Sequence, residues 1–319
     1  MAEIIEQVSA VGLVPVIANV KSVEDAASLS KALFDGGIPV AEVTFRMSKA
    51  EEIIAAMVKS KPDLLVGAGT VTTREQADLA ISAGAKFLVS PALNETVIRH
   101  SQERGVPIIP GIATPSELDK AIGLGLDLVK FFPAEPNGGL VAIKAFCGPY
   151  KGVKFLPTGG ISLENLAKYL AFDRIAACGG TFMLGNNLET GNWTGVTELC
   201  QQAVSVMLGL ELVHVGVNSA NADDAMASAS QFADVFHFSK PKVGNSSIFV
   251  GTVMEYMKSP YLGKNGHIAF KTNSLDRAVN YLSFMGVRFN KDSEKRDSSG
   301  KLKAIYLQEE IAGFAIHLV

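Results

Sequence analysis

Leu128-Val129-Lys130-Phe131-Phe132-Pro133 is the most informative segment of this chain, because it places a lysine inside an apolar, strand-like run. Burial of a lysine disfavours the charged ammonium, and a neutral amine is the form that attacks a carbonyl carbon to make a Schiff base. The alternative is a lysine at a strand end, whose stem lies on apolar surface while its amine reaches water. The run alone leaves both interpretations open.

Seven further apolar runs of similar length flank this one. The eight runs are Val14–Ile17, Val40–Phe45, Leu64–Gly67, Phe87–Ser90, Val106–Pro110, Leu128–Phe132, Val153–Pro157 and Ile175–Cys178. Amphipathic stretches typical of helices separate them, such as Val23–Phe34 and Glu95–Glu103. Continuous apolar strands that alternate with helices are typical of a parallel sheet covered by helices. We therefore predict an α/β fold in which residues 1–208 form a (β/α)8 TIM barrel, with a doubly wound open sheet as the alternative.

The pattern changes near residue 208, where strands with clear alternation begin to outnumber helices. The first group comprises the strand Leu212–Val217, the helix Ala222–Phe236, and the strands Phe238–Val243, Ser247–Gly251 and Val253–Met257. A second group has the same order: Ile268–Thr272, the helix Ser274–Met285, then Val287–Asn290, Ala304–Leu307 and Phe314–Val319. We predict a smaller α+β domain, residues 209–319, built from two βαβββ units.

The composition is that of a soluble globular protein, with 48% hydrophobic residues, 19% charged residues and a net charge of −3. The negative charge and the lack of a basic run argue against a nucleic-acid partner, and no apolar stretch is long enough to predict a membrane span. The N-terminus lacks the pattern of a signal peptide, so we expect a cytoplasmic protein. Cys147, Cys178 and Cys200 are expected to be reduced residues of the interior.

Candidate catalytic groups follow the second run as well as the sixth, since the active site of such a barrel lies at the carboxyl ends of its strands. Glu42, Thr44 and Arg46 fall on one face of the second strand because they are spaced by two residues. An amine that forms an imine, a carboxylate that moves protons and a guanidinium that holds a carboxylate make a coherent catalytic set. The alternative is a purely structural ion pair between Glu42 and Arg46.

Glycine pairs follow the seventh and eighth runs, as Gly159-Gly160 and Gly179-Gly180. Backbone N–H groups without side-chain bulk approach a phosphate closely, and the N-terminus of a following helix favours the anion. Phosphate sites after the seventh and eighth strands recur in TIM barrels. The pairs therefore predict a phosphate site, with two ordinary tight turns as the alternative.

Four motifs in this part of the chain resemble those of one enzyme family. They are Glu42-Val43-Thr44-Phe45-Arg46, Gly67-Ala68-Gly69-Thr70-Val71, Lys130-Phe131-Phe132-Pro133-Ala134-Glu135 and Pro157-Thr158-Gly159-Gly160-Ile161-Ser162. In this order, from Val14 to about Gly185, they resemble the 2-keto-3-deoxy-6-phosphogluconate (KDPG) and 4-hydroxy-2-oxoglutarate (KHG) aldolases. The resemblance implies a metal-free class I aldolase that cleaves KDPG to pyruvate and glyceraldehyde 3-phosphate, and KHG to pyruvate and glyoxylate. It also implies a homotrimer.

The resemblance assigns roles to the candidate residues. Lys130 would form the Schiff base with the C2 carbonyl of the substrate, and Glu42 would be the general acid and base, acting through a water. The pyruvyl end would contact Arg46, Thr70, Pro91 and Thr158, and the phosphate would contact Gly159, Gly160, Gly179, Gly180 and Thr181. Thr181 replaces a serine of many relatives and keeps the hydroxyl. Asn19 follows the first run, at a position where other members carry a basic residue, which leaves the substrate range more open.

Histidines on predicted strands distinguish the second domain. His214, Glu255, His267 and His317 fall on the first and last strands of the two βαβββ units. This arrangement resembles the vicinal-oxygen-chelate (glyoxalase-like) superfamily and implies a divalent transition metal, Zn²⁺, Ni²⁺, Fe²⁺ or Mn²⁺, with His317 replacing a more usual glutamate. The alternative is a set of isolated histidines, each bonded to a backbone partner. His100 and His237 fit no motif.

A second functional hypothesis exists for each domain. The barrel could be a phosphosugar isomerase or epimerase, but such enzymes need paired acid–base groups and no imine, so Lys130 argues against this. The C-terminal domain could be a non-catalytic interaction or sugar-sensing module. In that case substitution of the four candidate ligands would leave every activity intact.

Overall fold

The computed structural model describes residues 2–319, which divide into two compact units. The first unit ends at Met207, and the second comprises Leu208–Val319. None of the helices in the described residues is both long enough and apolar enough to cross a membrane.

The first unit alternates eight parallel strands with helices. The strands are β1 Leu13–Ile17, β2 Val40–Thr44, β3 Leu65–Gly69, β4 Leu88–Ser90, β5 Ile108–Ile112, β6 Leu128–Phe131, β7 Lys154–Pro157 and β8 Cys178–Gly180. The helices are α1 Ala2–Val11, α2 Asp25–Asp35, α3 Ala50–Ser60, α4 Arg74–Ser82, α5 Glu95–Glu103, α6 Pro115–Gly123, α7 Gly139–Phe146, α8 Leu163–Leu170, α9 Asn187–Thr190 and α10 Trp193–Leu208, with a 3₁₀ helix at Glu135–Asn137. Strands β1, β2, β3 and β5 are buried at every position, as expected where helices cover the outer face.

The strand order identifies the architecture as a nearly closed barrel. The strands follow one another in chain order, and β8 pairs with β1. Parallel bridges from Phe155 to Ile175 and from Thr158 to Gly179 connect β7 to the segment around β8. A doubly wound sheet would reverse its strand order in the middle, so this topology excludes it and confirms the predicted TIM barrel.

Several strand boundaries differ from the prediction. Strands β3 and β5 extend two residues further than their apolar runs, to Gly69 and Ile112. Strand β8 begins at Cys178, where the predicted strand ended, because residues 178–180 are the ones that pair with Leu13–Pro15 of β1. Gly179 and Gly180 therefore belong to a strand and do not form a turn.

The second unit contains two groups of elements in the predicted order. The first is β9 Glu211–Asn218, α11 Ala222–Phe236, β10 Lys242–Val243, β11 Ser247–Val250 and β12 Met254–Met257. The second is β13 Gly266–Lys271, α12 Leu275–Phe284, β14 Phe289–Arg296, β15 Leu302–Leu307 and β16 Phe314–Leu318. Helix α11 packs small residues, Ala225, Ala229 and Ala233, against the β11 and β12 side chains Ile248, Val250 and Tyr256.

The two groups also repeat the same strand pairing. The sheet order is β10-β11-β12-β9-β13-β16-β15-β14, so the first strand of each group lies at the centre and pairs in parallel with the last strand of its own group. The two central strands, β9 and β13, are antiparallel to one another. This symmetry brings the first and last strands of both groups side by side.

One predicted strand of this unit is wrong for most of its length. Residues 238–241 lie outside the sheet, and β10 contains only Lys242 and Val243. The backbone N–H of Phe238 donates to Ala233 at the end of α11, and its ring stacks on Phe232 with centroids 5.8 Å apart. Phe238 therefore completes the packing at the end of the helix and does not begin a strand.

Candidate active site and candidate metal centre

A buried lysine and a buried glutamate meet inside the barrel. Lys130 of β6 is 6% exposed, Glu42 of β2 is fully buried, and Nζ lies 3.4 Å from Oε1. The second carboxylate oxygen, Oε2, is buried without a hydrogen-bond partner. The strand-end alternative required the Lys130 amine to reach bulk water, and the burial of this side chain excludes it. The salt bridge of Glu42 is with Lys130, and the alternative Glu42–Arg46 ion pair does not form among the described residues.

Two glycines of β3 make room for side chains of the neighbouring strands, and Gly69 does so for Glu42 of this pair. In the parallel register Glu42 lies beside Gly67 and Thr44 beside Gly69. A Cβ on Gly69 would overlap the carboxylate of Glu42, and a Cβ on Gly67 would overlap the ring of Phe87. The third apolar run ended at Gly67, so the prediction placed Gly69 beyond the strand, whereas β3 extends to Gly69. A glycine inside a strand indicates the close approach of another group, and this signal could have identified its role.

The residues predicted to bind the pyruvyl end lie at the carboxyl ends of β2, β3, β4 and β7. Thr70 follows β3 with φ of +55°, a left-handed conformation that is unusual for a β-branched residue. Arg46 is exposed, two residues beyond β2, and Pro91 directly follows β4. Thr158 is buried, and its Oγ1 has no hydrogen-bond partner. An unpartnered buried hydroxyl at a strand end is free to bond to a ligand.

The residues predicted to bind phosphate differ in their backbone conformation. Gly159 and Gly160 have φ of +95° and +86°, so the turn after β7 requires glycine at both positions. Gly179 is buried in β8, where a Cβ would lie 2.5 Å from the Thr158 Oγ1. Thr181 is exposed immediately after β8. The glycine at 179 therefore serves close packing, which corrects its interpretation as half of a turn.

Three histidines of the second unit converge. One ring nitrogen each from His214 of β9, His267 of β13 and His317 of β16 lie within 4.8 Å of one another. The Nε2 atoms of His214 and His267 are 3.0 Å apart. Oε2 of Glu255, on β12, lies 3.0 Å from Nε2 of His267 and 3.2 Å from that of His214. The structure therefore brings the four candidate ligands into one cluster.

This cluster fits a divalent cation. Two ligands bound to tetrahedral zinc at about 2.0–2.1 Å lie roughly 3.4 Å apart, close to the separations between Glu255 and the two imidazoles. Both ring nitrogens of His317 are buried without a hydrogen-bond partner. Leaving a buried polar group unpaired costs about 1–3 kcal/mol, and a cation in the cluster would remove that cost for the nitrogen that faces it. The alternative, in which each histidine is satisfied by the backbone, does not hold for His317.

The electrostatics of the cluster favour the forms that bind metals. Burial raises the pKa of Glu255, but hydrogen bonds with His214, His267 and Ser247 outweigh burial and leave that pKa well below its usual range. Burial, followed by the charges of the neighbouring His267 and His214, lowers the pKa of His317 to about 3. Carboxylate and neutral imidazole are the protonation states that coordinate a metal ion.

Other residues support the cluster and were missed by the sequence analysis. Gly216 lies opposite His267 in the antiparallel register, and a Cβ there would collide with the imidazole ring. The Tyr306 ring stacks on His317 with centroids 4.4 Å apart and an interplanar angle of 7°. The glycine inside β9 was the only sequence signal for this packing.

The remaining histidines and the cysteines lie elsewhere. His100 pairs with Asp78 at 3.0 Å, and His237 ends α11 in the left-handed conformation. Cys178 and Cys200 are buried as predicted, whereas Cys147 is only partly buried, and none of the three is in a disulfide within the described residues. Burial raises the pKa of Cys200 to about 12, so this thiol stays protonated.

A buried amine beside a buried carboxylate, within a (β/α)8 barrel, is the arrangement expected of an enzyme that forms a Schiff base with a carbonyl substrate. A sequence profile described as KDPG and KHG aldolase matches residues 4–199, which is more than half of the chain. The chain belongs to the KDPG and KHG aldolase family. The matched region ends before the second unit begins at Leu208.

Individual relatives and solved structures agree with this assignment. The 2-dehydro-3-deoxy-phosphogluconate aldolase of Treponema pallidum (strain Nichols) is 47% identical over 208 residues, which are 65% of this chain and 99% of the relative. The KHG/KDPG aldolase of Escherichia coli (strain K12) is 44% identical over 193 residues, 60% of this chain and 90% of the relative. A structure of KDPG aldolase from Legionella pneumophila, with pyruvate captured at low pH as a covalent carbinolamine intermediate, is 39% identical with a TM-score of 0.60. It covers 62% of this chain and 96% of that one.

Proposed function

We propose that the barrel is a class I aldolase that cleaves KDPG to pyruvate and glyceraldehyde 3-phosphate. Cleavage of KHG to pyruvate and glyoxylate is its second reaction. The observation that carries this proposal is the buried contact between Lys130 and Glu42, with Nζ and Oε1 3.4 Å apart. Schiff-base chemistry uses the imine itself to accept electrons, so the aldolase step needs no metal.

The chemistry follows from these two side chains. The amine of Lys130 attacks the C2 carbonyl to form a carbinolamine, which loses water to give a protonated imine. Glu42, acting through a water, removes the proton of the C4 hydroxyl while the C3–C4 bond breaks and its electrons enter the imine. The aldehyde leaves, the enamine takes a proton at C3, and hydrolysis releases pyruvate and the free amine.

The remaining barrel residues bind the two ends of the substrate. We assign Arg46, Thr70 and Thr158 to the pyruvyl end, with Pro91 lining it. The unpartnered buried hydroxyl of Thr158 supports this assignment. We assign the phosphate to Gly159, Gly160, Gly179, Gly180 and Thr181. The positive φ of the first two supports this assignment, because turns of this kind can form anion-binding concavities from successive backbone N–H groups.

Borohydride trapping tests the role of Lys130. We expect that incubation with pyruvate and borohydride adds one reduced pyruvate to Lys130, located by peptide mass spectrometry, and that K130A abolishes both the adduct and cleavage. The matched control is K154A, because Lys154 lies on the neighbouring strand and is exposed. An adduct on another lysine would overturn the assignment, and cleavage without any adduct would favour the isomerase or epimerase type of barrel.

For the C-terminal unit we propose a glyoxalase-like, vicinal-oxygen-chelate domain that binds a divalent transition metal. His214, Glu255, His267 and His317 would hold the ion, and the duplicated βαβββ topology supports this proposal. Imidazole and carboxylate ligands suit Zn²⁺, Ni²⁺, Fe²⁺ or Mn²⁺. Such an ion polarises a bound oxygen as a Lewis acid.

Metal analysis of the purified full-length protein tests this site. We expect about one equivalent of a transition metal after reconstitution and dialysis, and loss of that metal in H317A. H237N is the matched control, because His237 lies outside the cluster and asparagine tolerates its left-handed backbone. Absence of stoichiometric metal in the wild type after reconstitution would favour the interaction or sensing module.

We propose further that the two units correspond to domains 1–208 and 209–319, that the protein is cytoplasmic, and that it assembles as a homotrimer. Light scattering of the full-length protein tests the last point.

A further inference from the structure

Glu135 lies five residues after Lys130, at the start of the 3₁₀ helix, and packs against the glycine turn that follows β7. Its Cβ and Cγ each lie 2.6 Å from the position that a Cβ on Gly160 would occupy. Only glycine at 160 leaves room for this side chain, and the left-handed backbone at 160 also favours glycine. The Glu135 side chain thus fills the space beside the turn.

Backbone hydrogen bonds join the same two segments. The N–H of Ala134 donates to the carbonyl of Thr158 at 2.8 Å, and the N–H of Glu135 donates to that of Gly159 at 3.0 Å. On the other side of the turn, Asn165 of α8 donates to the carbonyl of Gly160 at 2.9 Å. The segment that follows the Lys130 strand is therefore bonded directly to the turn.

Tyr169 of α8 anchors the Glu135 carboxylate. Its hydroxyl donates a hydrogen bond to Oε1 of Glu135, while the tyrosine is 2% exposed. The backbone of Leu140, at the start of α7, bonds to the same hydroxyl. Burial and the bond to Glu135 raise the pKa of Tyr169, so the phenol stays protonated and remains a donor. The carboxylate is thereby held by a residue that cannot move into solvent.

We propose that Glu135 is a positioning residue of the phosphate site, which holds the Gly159-Gly160 turn in the conformation that binds the substrate phosphate. This inference rests on the proposed function, in which that turn contacts the phosphate of KDPG. A free carboxylate near the turn would repel a phosphate. Tyr169 holds the Glu135 carboxylate by a hydrogen bond. Glu135 therefore affects phosphate binding through the conformation of the turn and not through direct contact with the phosphate.

Comparison of a phosphorylated and an unphosphorylated substrate tests this role, using the full-length protein. In E135A we expect the KM for KDPG to rise by about tenfold and the kcat for KDPG to stay within about twofold, because a lost hydrogen bond and its packing weaken ground-state binding by about that factor. The KM for KHG should stay unchanged. Inhibition of KHG cleavage by inorganic phosphate should weaken by the same factor as KDPG binding.

Further variants separate positioning from folding. Y169F removes the donor and should raise the KM for KDPG selectively, as E135A does. E135Q keeps an acceptor for Tyr169 and should stay within about threefold of the wild type. E103A is the control, since Glu103 is exposed at the end of α5.

The outcomes distinguish this inference from the proposed function. Equal losses on KDPG and KHG in E135A and Y169F would overturn the positioning role and leave the aldolase assignment standing. A lower KM for KDPG in E135Q would show that the carboxylate repels the phosphate, and this result would also overturn the positioning role. A wild type that cleaves neither substrate would overturn the proposed function, and the inference with it.

Discussion

Lys130 and Glu42 are 88 residues apart in the chain, yet the Lys130 Nζ lies 3.4 Å from the Glu42 Oε1. They extend from β6 and β2, which are separated by three intervening strands of the barrel. The contact therefore crosses the barrel interior, where both side chains are buried. The predictions for the barrel depend on this pair and on the residues that hold it.

Replacing Glu42 with glutamine should separate imine formation from proton transfer. We expect E42Q to lower kcat for KDPG by about 10²–10⁴-fold, because the amide cannot accept a proton. Borohydride should still trap pyruvate on Lys130, more slowly than in the wild type. E52Q is the control, since Glu52 is an exposed carboxylate of α3. Unchanged turnover in E42Q would assign the proton transfer to another group.

Alanine at Gly69 should disable the enzyme although Lys130 and Glu42 themselves are unchanged. A Cβ at this position overlaps the Glu42 carboxylate, so we expect the carboxylate to move away from Lys130. As a result, kcat should fall by at least about tenfold. Overpacking should also lower the free energy of unfolding by about 1–3 kcal/mol. The control is G123A, because a Cβ on Gly123 in α6 meets no atom within 4 Å. G123A should raise the free energy of unfolding by up to about 1 kcal/mol and leave activity intact, and equal kinetics in the two variants would contradict this prediction.

Replacing Thr70 with glycine should weaken substrate binding without lowering the stability of the fold. Its φ of +55° costs about 1–2 kcal/mol for a residue with a Cβ, so T70G should unfold at the same temperature as the wild type or higher. The KM for both substrates should rise because the hydroxyl is lost, whereas T70S should retain a near-normal KM. T73A, which removes the N-cap of α4, should instead lose about 1 kcal/mol of stability. A T70G variant that is less stable than T73A would show that the threonine side chain stabilises the loop.

Ser247 should tune the metal affinity of the second unit without contacting the ion. Its hydrogen bond to Glu255 orients the carboxylate, and loss of such a bond lowers metal affinity by about 10–100-fold. We expect S247A to show this loss in a competition titration with a metal chelator. The matched control, S246A, changes an exposed neighbour and should bind like the wild type. Equal affinities in both variants would remove Ser247 from the support of the site.

Much of the architecture could be predicted because its signals are local. A strand buried on both faces reads as a continuous apolar run, and a half-buried strand alternates, so eight βα units and two βαβββ groups were recognisable from the sequence. Strand-end placement likewise indicated Lys130 and Glu42, and the matching positions of two repeats indicated His214, Glu255, His267 and His317. The boundaries of β8 and β10 were mispredicted, because strand pairing and the packing of Phe238 on Phe232 involve residues outside the local pattern.

The sequence by itself determined the order of the elements and the residue types available for chemistry, because hydrophobic periodicity and turn residues act over a few neighbouring positions. Only the tertiary structure decided which of those residues touch. Gly69 makes room for Glu42, Gly216 for His267 and Gly160 for Glu135. Each such contact depends on strand register and barrel closure, which are set by packing between segments distant in the chain.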